Sequence, residues 1–299
     1  MTSLQKPFLK WVGGKTQIID KILSKIPPEF DNYHEPFLGG GSVLLAVMSL
    51  HKQNIINIKG KVYAYDVNLP LINVYKHIQR ENVELYKMID TVIKQYDSLT
   101  GDVINRKPEN FEEAITSKES YYYWIRQRYN ICDKNTIEAS ALFMFLNKTC
   151  FRGMYREGPN GFNVPYGHYK NTPTIITETE MTAVSDLIKD VEFIHCDFRD
   201  SIKMVKPGDF VYLDPPYAPE NRTSFVGYVA DGFDIDIHKQ LFSDIKNMDT
   251  RIKFAMSNAK VQLVTESFSE YQCEDIIARR AINAKKPQST ATEVLICNK

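Results

Sequence analysis

Asp214-Pro-Pro-Tyr217 brings a carboxylate, proline-flanked carbonyls and an aromatic ring into one short stretch. The apolar run Phe210-Val-Tyr-Leu before it has the composition of a buried strand. Two prolines end that strand at once, because they cannot donate to a ladder. An acid held rigidly at a strand end, carbonyl acceptors and a stacking ring suit a planar ring that carries an amine, such as adenine. A second constellation is Glu35-Pro-Phe-Leu-Gly-Gly-Gly-Ser42, which reads as strand, glycine loop and helix start. Glycines let a ligand approach the backbone closely. Asp66, 25 residues beyond Gly41, closes the next strand, where an acid can accept both hydroxyls of a ribose. Glycines alone would equally suit a plain strand–helix turn; the downstream Asp66 favours a nucleoside. NAD fits less well, since a G-x-G-x-x-G register from Gly39 puts Leu44 where the third glycine belongs.

Gly13-Gly-Lys-Thr16 resembles the end of a phosphate-binding loop, but the glycine needed five places before Gly14 is Leu9, and no strand-like run precedes it. ATP hydrolysis is therefore not expected. Lys15, with Phe8, Lys10 and Trp11 before it, reads instead as a second edge of a ligand pocket. The six histidines show no ligand spacing and the five cysteines contain no Cys-x-x-Cys pair, so neither a metal site nor a disulfide scaffold is expected.

These residues need a frame. Strand-like runs at Tyr33–Phe37, Val62–Asp66, Val191–His195, Phe210–Asp214, Lys253–Asn258 and Glu293–Cys297 alternate with helical patterns at Thr16–Ile26, Ser42–Leu50, Leu69–Ile78 and Asp236–Met248. That alternation predicts an α/β fold with a mostly parallel sheet, whose ligands sit at the carboxyl ends of the strands. Asp66, Asp214 and Asn258 fall at such ends. The stretch from about 80 to 185 breaks the rhythm. Helical patterns at Glu119–Tyr129 and Thr136–Leu146 lead into a basic, aromatic segment from Asn147 to Lys170. Within it, Gly158-Pro-Asn-Gly161 predicts a hairpin or ordered loop. The expected layout is a cofactor and catalytic domain of residues 1–79 plus 186–299, interrupted by an insert of residues 80–185.

Charge is balanced at 37 Lys+Arg against 37 Asp+Glu, which excludes a polybasic tail and leaves room for local patches. Residues 147–170 carry four bases and one acid, and residues 279–286 four bases and none. The longest apolar runs, Val43–Met48 and Ala141–Leu146, have six residues each, far short of the ~20 that cross a membrane. The amino terminus lacks the apolar stretch of a signal peptide. An intracellular, non-secreted protein is expected.

Pro7-Phe-Leu-Lys-Trp-Val-Gly-Gly-Lys15, Glu35-Pro-Phe-Leu-Gly-Gly-Gly-Ser42 and Asp214-Pro-Pro-Tyr217 occur in that order, with the hairpin segment between the last two. In this the chain resembles, over nearly its whole length, the Dam/DpnM-like (class α) DNA adenine N6-methyltransferases. The resemblance implies a Rossmann-like sheet that binds S-adenosylmethionine and a helical target-recognition insert carrying a β-hairpin. It implies cofactor contacts at Trp11, Lys15, Phe37, Gly39, Gly41, Asp66, Asp197, Phe198 and Asp214, the pair Asp197 and Phe198 meeting the cofactor's adenine. A plain core role for Phe198 stays open. Catalysis would fall to Asp214, Pro215 and Tyr217. Asn147 to Arg156 and Phe162 to Gly167 look like the family's recognition segment, so Lys10, Asn147, Arg152, Tyr155, Arg156, Pro165 and Tyr166 are expected at DNA. Arg279 and Arg280 would clamp phosphates. Many relatives carry Asn where Arg152 stands, which leaves the base readout open.

The implied partner is double-stranded DNA. A separately acting restriction endonuclease, a monomer or weak dimer, and a short palindrome such as GATC are compatible with it. The expected reaction extrudes adenine from the duplex, because its N6 cannot be reached inside the stack. Three alternatives remain at this stage: an RNA or N4-cytosine methyltransferase, a module that senses DNA or the cofactor without turnover, and an NAD-dependent dehydrogenase. Cytosine enzymes usually begin the proline motif with Ser, so Asp214 speaks for adenine.

Overall fold

A computed structural model describes residues 3–219, 233–279 and 290–298. The chain divides into two compact units. One comprises Met1–Lys6, Lys15–Val67 and Asp190–Lys299, the other Pro7–Gly14 and Asn68–Lys189. The second unit is wider than the 80–185 span drawn from composition, since the helix Leu69–Arg80 and the motif-bearing segment Pro7–Gly14 belong to it as well.

The first unit is built on a seven-stranded sheet. Its strands are β1 (Tyr33–Glu35), β2 (Val62–Asp66), β3 (Val191–His195), β4 (Phe210–Leu213), β5 (Lys253–Ala259), β6 (Gln272–Arg279) and β7 (Thr290–Cys297). Their order is β6-β7-β5-β4-β1-β2-β3. The strands from β3 to β5 run parallel, while β7 lies antiparallel to both β5 and β6. All four residues of β4 are buried, as expected of a central parallel strand that reads as a continuous apolar run. The mostly parallel sheet follows the expectation; β6 does not. Gln272-Cys-Glu-Asp-Ile-Ile-Ala-Arg279 is too polar on one face to announce itself, which suits an edge strand.

Strand order reverses between β1 and β4: the chain steps outward through β2 and β3, then resumes on the other side of β1. Such a switch point opens a crevice at the carboxyl ends of the two central strands. The glycine loop after β1 and Asp214 after β4 both lie there. Behind β4 and β5, Val211, Leu213, Leu241, Phe242, Phe254, Met256, Phe268 and Ile296 form one buried cluster. It ties the helix Ile235–Lys246 to the sheet.

The second unit is helical. Its elements are Leu69–Arg80, Asn82–Ser98, Phe111–Ala114, Lys118–Ile131, Ile137–Thr149 and Glu178–Ile188. Most begin with a side-chain cap. Asn68, Asn110, Ser117, Thr136 and Thr177 each accept a backbone N–H from the first turn. Ile137–Thr149 is buried almost all round and packs on Leu69–Arg80, Asn82–Ser98 and Lys118–Ile131, the position that an apolar helix without a polar stripe must take. The hairpin forms at the expected turn, with Glu157–Gly158 paired to Gly161–Phe162. Among the described residues, no helix is long and apolar enough to cross a membrane.

Candidate active site

The corner after β4 pairs a buried lysine with a carboxylate. Lys15, 3% exposed, places its Nζ 2.7 Å from Asp214 Oδ2 and 5.0 Å from the centre of the Tyr217 ring. Withdrawal from water pushes the Asp214 carboxyl up, and neighbouring Glu293 adds to that. The Lys15 ammonium pulls it back only part way, leaving it at about 6. Asp214 is therefore mostly ionised at neutral pH yet poised to titrate just below it. The Tyr217 hydroxyl donates to Glu293 Oε2 at 2.7 Å. Burial beside two carboxylates holds that phenol well above its ordinary range.

Elements other than β4 pin the backbone of this corner. His238 Nε2 lies 2.9 Å from the Pro216 carbonyl. The Ala218 N–H donates to Asn258 Oδ1 at 3.0 Å, an oxygen that also takes the Ala259 N–H at 2.8 Å. Glu35, at the end of β1 and 2% exposed, accepts from the Tyr33 hydroxyl at 2.6 Å. Burial, reinforced by the nearby Asp214 and Asp66 charges, raises its carboxyl to about 8. It is thus neutral where Asp214 is charged.

Beside this corner the glycine loop turns tightly. Gly39 and Gly41 have φ of 49° and 67°, left-handed values that side chains other than glycine resist. The Gly39 N–H donates to Asp66 Oδ2 at 2.9 Å, fixing the acid at the end of β2 against the loop. Phe37 stacks on Phe198 at 5.7 Å between ring centres, and Phe233 meets both rings. Asp197 caps the helix Phe198–Lys203 by accepting the Arg199 N–H, while its other oxygen faces the Arg199 guanidinium at 3.3 Å. A glycine cradle at a switch point, an oriented Asp66 and an aromatic shelf fit a nucleoside. The acids Asp66, Asp197 and Asp214 fit one bearing a positive sulfonium centre. The residues present are therefore compatible with S-adenosylmethionine.

In the second unit, Asn147 is turned inward, 3% exposed, and clamps Lys10 by its backbone. Its Oδ1 takes the Lys10 N–H at 2.9 Å and its Nδ2 donates to the Lys10 carbonyl at 2.7 Å. The Lys10 ammonium lies 3.2 Å from the Tyr169 hydroxyl and 4.4 Å from the centre of that ring. Gly153, at φ 65°, sits so close that a Cβ there would meet Lys10 Cβ at 2.5 Å. Trp11 stacks on Tyr155 at 5.6 Å and on Phe143 at 6.3 Å. Tyr155 closes that stack from the hairpin side, its hydroxyl bonded to Glu157. Tyr166 is buried, its hydroxyl 2.5 Å from that of Tyr96. The exposed members are Arg152, at φ 57° and over the Phe151 ring, Arg156, which donates to Asn163 Oδ1 at 2.6 Å, and Pro165, whose carbonyl accepts from Phe151.

The structure thus gathers Lys15, Asp214 and Tyr217 around one corner, and Gly39 with Asp66 beside the glycine loop. Trp11 and the recognition residues fall in the second unit. Arg279 ends β6, and Arg280 with the rest of the 280–286 cluster lies outside the described residues. His238, Glu35 and Glu293 were not singled out from sequence. Glu35 opens the glycine motif and so carried a positional signal; His238 and Glu293 stand in ordinary amphipathic patterns that mark neither.

Known proteins resemble the chain along nearly its whole length. A family model described as D12 class N6 adenine-specific DNA methyltransferase matches residues 11–282. The chain is 35% identical over 308 residues to the type II methyltransferase M.MjaIII of Methanocaldococcus jannaschii, covering 98% of this chain and 99% of that one. To the type II methyltransferase M1.LlaDCHI of Lactococcus lactis subsp. cremoris it is 30% identical over 302 residues, with 98% and 95% covered. A DNA adenine methylase of Haemophilus influenzae is 28% identical over 295 residues, with 97% and 92% covered.

Proposed function

We propose, from the premise that the chain belongs to the D12 class N6 adenine-specific DNA methyltransferases, that it extrudes an adenine from duplex DNA and methylates its N6 at the Asp214–Tyr217 corner, within a short palindrome such as GATC. The class is S-adenosylmethionine-dependent and its substrate is DNA. The observation that carries the site assignment is the Asp214 carboxylate, fixed at the switch point by β4 and two prolines and paired to Lys15 at 2.7 Å.

S-adenosylmethionine, when bound, supplies an electrophilic methyl group on a sulfonium. Asp66 is proposed to hold its ribose, the loop of Gly39 and Gly41 to admit it, and Phe37, Phe198 and Asp197 to border its adenine; Lys15 and Asp214 face the same crevice. Trp11 as a further cofactor contact rests on its motif alone. At the reacting end the chain's own groups act on the target base. Ionised Asp214 accepts one N6 hydrogen and the Pro215 carbonyl the other. Two acceptors favour a tetrahedral nitrogen, which localises the lone pair and offsets the positive charge that develops there. Tyr217 stacks on the ring and replaces part of the lost base stacking. The adenine amine takes up acceptor capacity on Asp214 that the Lys15 ammonium uses in the free protein.

On the DNA side, Arg156 and Arg152 are the exposed cations proposed to meet the duplex, with Lys10 and Pro165 at the same face, Tyr155 beside them, and Arg279 and Arg280 as phosphate contacts. Arg156 can grip a guanine edge bidentately. Asn147 and Tyr166 are proposed to serve recognition from behind, by holding Lys10 and the segment's backbone. The type II names of two relatives favour a separately acting endonuclease as partner. Tritiated methyl transfer to genomic DNA, followed by mapping of modified bases, tests the whole proposal. Label in N6-methyladenine at one short motif is expected; label in cytosine, in RNA or nowhere would refute it.

A further inference from the structure

His238 is fully buried, and its two ring nitrogens face two carbonyl oxygens. Nδ1 lies 2.7 Å from the Asp234 carbonyl and Nε2 2.9 Å from the Pro216 carbonyl. A carbonyl can only accept, so each contact needs a proton on the nitrogen facing it. A neutral ring makes one of the two bonds and an imidazolium makes both. The ring is held in place by Phe233 at 4.6 Å and Phe242 at 5.9 Å, both edge-on. Asp234 in turn caps the helix that carries His238, accepting the Ile237 N–H.

We infer that His238 is a positioning residue for methyl transfer, donating from Nε2 to the Pro216 carbonyl and thereby choosing which carbonyl of the proline pair is left for the substrate amine. The inference rests on the proposed role of Asp214-Pro-Pro-Tyr217. Prolines 215 and 216 offer carbonyl acceptors but no N–H donors, so the two carbonyls are similar acceptors told apart chiefly by direction. The Pro216 carbonyl shares a peptide plane with the Tyr217 N–H. Holding that plane commits the Pro216 oxygen to the side of the helix that carries His238 and sets the take-off direction of Tyr217. The Ala218–Asn258 bond and the Tyr217–Glu293 bond fix the two following points. Without the histidine, the 216–217 peptide plane is free to rotate, which would turn the Tyr217 ring away from a bound adenine and let the Pro216 carbonyl compete with that of Pro215.

The test compares His238→Ala, His238→Gln and Asp214→Ala in single-turnover methyl transfer to a duplex carrying the mapped site. Melting temperature and S-adenosylmethionine dissociation constant are measured alongside. Misplacement of a reacting geometry by about 1 Å costs about 10²-fold, so His238→Ala should lose about that much in rate. Cofactor and DNA affinities should stay within about threefold of wild type, since the bond acts on geometry rather than on binding. His238→Gln, whose amide can donate to the same carbonyl, should recover most of the rate. A folded His238→Ala with the wild-type rate, or a Gln variant as impaired as Ala, would overturn the inference. Where Ala fails to fold, long-range ¹⁵N spectra of the wild-type imidazole decide, with Nε2 protonated as expected or unprotonated against it. An active Asp214→Ala would instead overturn the corner's assignment, whereas inactive Asp214→Ala beside unimpaired His238→Ala would remove only the role of His238.

Discussion

The corner after β4 and the stretch from Asn147 to Tyr169 both combine charge with aromatic rings, but they use burial in opposite ways. At the corner, burial falls on the groups proposed to act on the substrate and on their neighbours. Lys15, Asp214 and Glu35 are drawn from water, so an acid rests at about 6 and another at about 8. In the stretch from Asn147 to Tyr169, burial falls on the supports. Asn147 and Tyr166 face inward, while Arg152 and Arg156 stay in solvent. A site that must shift proton affinities keeps its charges dry. A surface proposed to meet a polyanion keeps them wet and uses its buried polar groups for shape.

That contrast can be broken from either side. Asp214→Ala should cost about 10³-fold in single-turnover transfer, the scale of losing a charge-stabilising group in a dry site, with the cofactor still binding. Substantial surviving activity would make the corner merely structural. Asn147→Ala strips two backbone groups of Lys10 of their partners and should destabilise the second unit by about 3 kcal/mol, read as an earlier urea transition; an unmoved transition would mean that Asn147 supports nothing. Arg156→Ala should leave stability alone and cost about 1.5 kcal/mol of discrimination at one base pair, read by comparing single-substituted duplexes. A uniform loss across all of them would demote Arg156 to a phosphate contact.

A further test concerns pH. The Glu35 carboxyl rises from an ordinary 4.5 to about 8 on folding. The unfolded chain therefore binds fewer protons between those values, and stability falls as pH rises from about 4.5 to about 8. Glu35→Gln should flatten that slope in thermal melts, gaining on wild type toward pH 8; parallel curves would contradict the buried neutral acid. Asp214 gives a separate signature. It accepts only when ionised, so transfer should rise as pH passes through about 6 and level off above it.

Much of the frame was legible because its strands carry unbroken apolar runs that end in a chemical residue. Val62–Asp66 and Val191–His195 occupy the spans their composition predicts. The turn that ends β4 was equally readable, because proline permits few conformations. Less was readable where direction matters. The edge strand Gln272–Arg279 and the helices Asn82–Ser98 and Glu178–Ile188 are rich in charge, so their patterns resemble loops. Nothing in the order Asn147-Lys-Thr-Cys tells which side chain points inward; only the two bonds to Lys10, 137 residues earlier, decide that for Asn147. His238 hid for the same reason, since its meaning comes from a carbonyl 22 residues away.

The most direct measurement is the distance from the target adenine's N6 to Asp214 in a crystal of the protein with a duplex carrying its mapped site and a cofactor analogue. An adenine outside the stack and lying on Tyr217, its N6 about 3 Å from both the Asp214 carboxylate and the Pro215 carbonyl, is the expected result. An adenine still stacked in the helix, or an extruded one held away from Asp214, would contradict it.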